Sequence, residues 1–246
     1  MVVLCNGVRY ERRPRGGGGR CGDGEPGRGV RLAELATRQH GVVSIRQLET
    51  VLEYSRASVQ RAVEAGRLHS VHPGVYAVGH TDLSLHGRCL AAVLAVGPGS
   101  LLSYWSAGWL WGILNTSPRL FDVTAPGPRR LRDRPAVKVH RARNLVAADR
   151  VLLEQIPATS LARTLLDLAE LLRPERLAKV LEQAEKLKQF DGLEVVAVCE
   201  RSRAHRGSKP LRTALAASRP IKPFLRSDLE GEFLSLVEAA GLRARR

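Results

Sequence analysis

The sequence predicts an α+β protein: an N-terminal winged helix-turn-helix, a mixed α/β middle unit, a helical segment and an orphan C-terminal helix. Three observations carry this. Between residues 43 and 79 the apolar pattern switches from helical spacing to alternation around Gly66. Between 81 and 155, short alternating runs are mixed with helical stripes. From 156 onward the apolar residues keep helical spacing. With 246 residues, of which 44% are hydrophobic, the chain can bury one large core or two modest ones.

Residues 1–29 include RRPRGGGGRCGDGEPGRG, rich in Gly, Arg and Pro and without an apolar period. Such a segment cannot offset its ordering entropy, so a disordered Gly/Arg-rich tail is expected. Leu32, Leu35 and Ala36 then mark a helix that Gly41 stops, the first of a module over residues 30–80. Ser44 followed by Gln47 makes a capping box, with Val43 and Leu48 at staple spacing. Ile45, Leu48 and Leu52 form that helix's stripe. Ser55 caps a second helix with Val59, Ala62 and Val63 inside, and Gly66 ends it. Arg67–Val71 and Val75–Val78 alternate around His72-Pro73-Gly74, which reads as a two-stranded wing.

With the inner face of the second helix assigned, Ser58, Gln60, Arg61 and Glu64 point outward, with Arg56 in the first turn. Polar residues at the front of a second helix suit base edges in a major groove. The candidate DNA-binding residues here are Ser44, Arg46, Ser55, Arg56, Ser58, Gln60, Arg61, Arg67, His69 and His72. The competing reading is a helix pair and hairpin that only pack. The charge favours a polyanion: 39 Lys and Arg against 24 Asp and Glu give +15. Double-stranded DNA is the expected partner. A membrane surface is disfavoured, because no apolar run reaches about 18 residues and no basic amphipathic helix stands out. The 4% aromatic content argues against a single-strand binder built on stacked bases.

Residues 81–217 are expected to form the second unit, mixed to about 155 and helical beyond. Ser84 caps a helix carrying Leu90, Val93 and Leu94. Ser103 caps another, on which Trp105, Trp109 and Trp111 read as core rather than as a binding platform. Leu120–Thr124 and Ala136–Arg141 alternate as strands, and Val151–Leu153 is a third that Pro157 breaks. The loop APGPRRLRDRP carries Arg129, Arg130 and Arg132, either a second patch on the phosphate backbone or a solvated hairpin tip. Helices follow from Thr159 or Ser160, Pro174, Asp191 and Pro210. Residues 218–226 read as a linker, and 227–246 as a last helix whose apolar face has no later partner.

Cys5, Cys21, Cys89 and Cys199 are widely spaced, which suits reduced thiols in a cytoplasmic protein better than a disulfide framework. Neither they nor His69, His72, His80 and His86 have the spacing of a metal site. No metal, cofactor or catalytic residue is expected.

Several stretches together resemble the AbiEi-type antitoxins of type IV toxin–antitoxin systems. They are Gly41-Val42-Val43-Ser44, Gln47-Leu48, Ser55–Ala65, Gly66-Arg67-Leu68-His69 and Pro73-Gly74-Val75-Tyr76. Further on come Ser103–Ala107, Trp111-Gly112, Ile156–Ser160 and Ala162–Ala169, with Tyr104 standing where His is expected. The resemblance implies a DNA-binding regulator that represses its own operon and antagonises a cognate, nucleotidyltransferase-like toxin. Ser227–Leu234 with Ala239–Leu242 is similar to the opening helix of very-short-patch-repair endonucleases, Glu230 matching its acidic residue. The acidic strands of that family would lie beyond residue 246, so the chain is expected to be either a truncated, catalytically incompetent relative or a fragment of a longer nuclease. The alternative function is therefore a truncated or inactive endonuclease of that type, targeted by the winged module.

Overall fold

The computed structural model describes residues 2–5, 8–11, 27–127, 134–142 and 145–217. At the N-terminus β1 (Val2–Cys5) pairs antiparallel with β2 (Val8–Glu11). Both strands are rich in β-branched and aromatic residues, which suit a pleated ladder. Helix α1 (Arg28–Arg38) also begins earlier than expected. The reading of 1–29 as an unstructured tail is corrected at these places, while 12–26 lie outside the described residues.

The module at 30–80 is built from α1, β3 (Val42–Ser44), α2 (Ile45–Thr50), α3 (Arg56–Glu64), β4 (Leu68–His72) and β5 (Val75–Val78). The strands form one antiparallel sheet in the order β3-β5-β4. The expected two-stranded hairpin therefore gains a third strand, Val42–Ser44, too short for its alternation to register in the sequence. Strand periodicity sends Val43 and Tyr76 toward α1, α2 and α3, where they pack with Leu32, Leu48, Val59 and Leu68. It sends Val42 and Val75 the other way, into the core around α4 (Leu85–Val96). The hairpin is thus not a free-standing wing, because both of its faces are covered.

The second unit has a five-stranded sheet in the order β8-β7-β6-β10-β9. Its strands are β6 (Leu101–Leu102), β7 (Phe121–Pro126), β8 (Val137–Ala142), β9 (Arg150–Leu153) and β10 (Ile156–Thr159). Helix α4 covers one face, with Cys89, Leu90 and Val93 buried against Val123, Ile156 and Ala158. Strands β7 and β8 run parallel, Phe121 opposite Val137 through Pro126 opposite Ala142. A hairpin tip cannot join parallel strands. The strands flanking the arginine-rich stretch are therefore not the arms of a hairpin, which corrects that reading, and residues 128–133 lie outside the described residues. Pro157 does not break the chain either. It sits inside β10, where pairing with the two-residue β6 reaches only Ala158 opposite Leu102, so few ladder bonds are asked of it.

Helices α5 (Tyr104–Leu110), α6 (Leu161–Ala169), α7 (Pro174–Glu185), α8 (Gly192–Arg201) and α9 (Ser208–Ala217) complete the unit. Ser160 and Asp191 cap α6 and α8, and Pro174 opens α7, where its missing N–H costs nothing. Ser103 is at the cap position of α5, but its hydroxyl accepts instead from Thr124 Oγ1 at 2.7 Å. The three tryptophans are only half-buried, at the rims of the two cores. The linker and last helix expected at 218–246 lie outside the described residues.

Candidate nucleic-acid interface

The site is α3 and the elements that hold it. Ser44 Oγ accepts from the Gln47 backbone at 3.2 Å, and Gln47 Oε1 accepts from the Ser44 backbone at 2.9 Å. Behind this box Gln47 Nε2 donates to Gln39 Oε1 at 2.5 Å, and Gln39 Nε2 donates to the Val42 carbonyl at 2.8 Å. The whole network is buried, so α2 is locked to α1 and β3 by fully enclosed polar bonds. Ser55 Oγ accepts from Ser58 N at 3.1 Å and fixes the start of α3. Gly66, at φ +67°, turns the chain from α3 into β4. Gly74, at φ +76°, closes the hairpin, and its carbonyl accepts from Ile45 N at 2.7 Å. The hairpin turn is thereby tied to the start of α2.

On this frame Val59 and Ala62 face inward, and Gln60, Arg61 and Arg56 are exposed. Arg56 Nε donates to Glu49 at 3.2 Å, Gln60 to Glu64 at 3.0 Å, and Arg61 Nη2 to Ser58 Oγ at 3.2 Å. These exposed contacts exchange readily with water or a ligand. Arg46, Ser55 and Arg67 are exposed as well, and Ser58, His69 and His72 are half-buried. Ser44 is the exception. It is buried, with its hydroxyl spent on the capping box, so it positions α2 and offers no free group to a ligand. Burial, and then the nearby charge of Arg134, hold the His72 imidazole below its usual pKa. Arg134 follows the arginine-rich connection between β7 and β8, so one end of that connection lies near the hairpin. Arg129, Arg130 and Arg132 lie outside the described residues.

Residues 30–79, the same module, match the family model described as a transcriptional regulator, AbiEi antitoxin. That segment therefore carries the signature of AbiEi antitoxin-type transcriptional regulators. The crystal structure of the RV2827C protein from Mycobacterium tuberculosis is similar at 21% identity and a TM-score of 0.46, over 77% of this chain and 78% of that one. No curated protein matches the chain.

Helix α4 joins the AbiEi-like module to the second unit. Gly87 lies so close to the end of α1 that a Cβ there would stand 2.6 Å from the His40 carbonyl oxygen. The His40 and His86 rings stack with centroids 5.5 Å apart. His86 Nε2 pairs with Glu154 Oε2 at 2.9 Å, and His40 Nε2 bonds the Glu154 carbonyl at 2.7 Å. Among the described residues no group of three or more His, Cys, Asp or Glu is arranged to hold a metal ion, and no helix is long and apolar enough to cross a membrane. Cys89 and Cys199 are buried free thiols, and burial pushes Cys89 up to about 12.

A buried polar cluster in the second unit had no signature in the sequence. Arg163 Nε donates to Asp167 Oδ1 at 2.9 Å, and Arg201 Nη2 donates to Asp149 Oδ1 at 2.7 Å. Next to them His140 Nε2 meets Asp122 Oδ1 at 2.7 Å, and the Tyr104 ring stacks on His140 at 3.9 Å. Tyr104 Oη donates to Glu170 Oε2 at 3.3 Å. Position 104, where the resemblance calls for His, therefore has a polar partner with Tyr in place.

Proposed function

We propose that the protein is a DNA-binding transcriptional regulator whose winged helix-turn-helix presents α3 to the major groove of double-stranded DNA. The observation that carries this is the exposure of Gln60 and Arg61 on a helix whose opposite face is locked into a buried core. Gln and Arg are side chains suited to bidentate contacts with adenine and guanine edges. Ser55, Arg56, Arg46, Arg67, His69 and His72 would contact phosphate and sugar, with Arg129, Arg130 and Arg132 adding charge along the backbone. As an AbiEi-type antitoxin it would repress its own operon and antagonise a cognate toxin, which the resemblance implies is nucleotidyltransferase-like. The cytoplasm is its expected location. The endonuclease alternative rests on Glu230, which lies outside the described residues, and nothing in the described structure favours it.

Selection of bound duplexes from a random library at physiological salt, followed by footprinting upstream of the gene, tests the proposal. An enriched motif that is protected at the promoter is the expected result. A library that stays random while bulk DNA is bound would leave only charge-driven association and would remove sequence-specific regulation.

A further inference from the structure

The second unit has a groove that the regulator reading does not use. It lies between α5 and the start of α7, is open to solvent with a volume of about 550 Å³, and is lined by Trp105, Leu171, Leu172, Arg173, Arg176 and Lys179. The Arg176 guanidinium sits over the Trp105 ring, 4.8 Å from its centroid. Arg173, at the cap position of α7, and Arg176 and Lys179, one turn apart on that helix, are all exposed and form no ion pair among the described residues. Glu175 also lines the groove, so three cations face one carboxylate. Leu171, 45% exposed, adds apolar lining.

We propose that this groove binds a base-plus-phosphate unit, supplied either by a free nucleotide or by a single-stranded segment of nucleic acid. The outer plane of the Arg176 guanidinium, backed by the Trp105 ring, is what a flat base stacks on, and Arg173 and Lys179 are what its phosphates pair with. A bare polyanion would leave that plane and the leucines unused, and would meet Glu175. An acidic peptide has carboxylates for the arginines, but nothing flat to set against the Arg176–Trp105 stack. The volume is within the range of small-ligand sites.

The test uses the full chain, with tryptophan emission and calorimetry as readouts. The probes are ATP, an octanucleotide of deoxyadenylate, inorganic tripolyphosphate and polyglutamate. A base-bearing probe should bind at least tenfold tighter than tripolyphosphate or polyglutamate. R173A/R176A should weaken that binding about ten- to hundred-fold while lowering the melting temperature by no more than a few degrees, for the lost Arg176–Trp105 contact, and leaving duplex binding unchanged. W105F, which keeps a ring in the partly buried position, should weaken it less. Preference for ATP identifies a free nucleotide as the source, and preference for the octanucleotide identifies a strand. The proposal is overturned if tripolyphosphate or polyglutamate binds as tightly as the base-bearing probes, if R173A/R176A changes nothing, or if no probe binds. Loss of duplex binding with nucleotide binding retained would instead remove the regulator reading and leave this one standing.

Discussion

Arg61 turns back along α3 and donates from Nη2 to Ser58 Oγ at 3.2 Å, so the fork that would read a base is parked against its own helix. Both groups are within reach of solvent, and the bond gives little net stability. DNA binding would exchange it for a base edge. Arg61→Ala should cost about 1–3 kcal/mol on the selected site and much less on scrambled duplex. Arg61→Lys keeps the charge but not the planar fork, so it should lose discrimination while retaining scrambled-duplex affinity. Competition binding on the two duplexes measures both. Equal losses on both would mean that Arg61 touches only phosphate.

Arg129, Arg130 and Arg132 should act in the opposite way. Replacing all three with Ala should weaken binding to every duplex by a similar factor. If each neutralises one phosphate, the slope of log affinity against log salt should become shallower by about 3. Titrations between low and physiological salt give the slope directly. An unchanged slope would place the connection away from the DNA.

Much of the module at 30–80 was legible because its elements are signed locally. The Ser44–Gln47 box, the Ser55 cap, Gly66 and Pro73-Gly74 each act within a few residues of their own position. The missed features depend on partners distant in sequence. Val42–Ser44 becomes a strand only because β5 lies beside it. The parallel pairing of β7 with β8 is hidden by a connection whose composition resembles any turn. Asp122–His140 and Asp149–Arg201 join residues 18 and 52 apart. Of the proposed DNA-contacting residues, Gln60 and Arg61 could be placed by subtracting the apolar face of one helix. Ser44 was misplaced because a capping serine and a DNA-contacting serine look alike until burial is known.

Gly87 tests the joint between the module and the second unit. A methyl group at this position would meet a main-chain oxygen, His40 O at 2.6 Å, which cannot rotate aside as a side chain can. Gly87→Ala should therefore push α4 away from α1, disturb the His40–His86 stack, and destabilise the fold by about 1–3 kcal/mol. Denaturant unfolding gives the loss. Hydrogen exchange at α1 and α4 shows whether the joint opens first. A variant with wild-type stability and exchange would mean that the two units are less tightly coupled than this contact requires.

Asp167 gives a prediction in pH. Its Oδ1 is held by Arg163, but its buried Oδ2 has no hydrogen-bond partner among the described residues. Burial raises its carboxyl to about 7 from an ordinary 3.8, against the opposing pull of Arg163. Between those two values the folded chain holds a proton that the unfolded chain has released. Asp167 therefore makes stability fall as pH rises from about 4 to about 7, by at most about 1.4 kcal/mol per pH unit, and adds no slope above that. The His72 and His205 imidazoles are both lowered, mainly by burial, and act with the opposite sign, raising stability as pH climbs toward the ordinary histidine range. Asp167→Asn keeps an acceptor for Arg163 and removes only the ionisation. Urea unfolding at pH 5, 6, 7 and 8 should show the wild type losing stability relative to Asp167→Asn as pH rises to 7, with the gap constant beyond. Parallel profiles across the range would show that Asp167 is already ionised at pH 5, with its second oxygen satisfied by solvent.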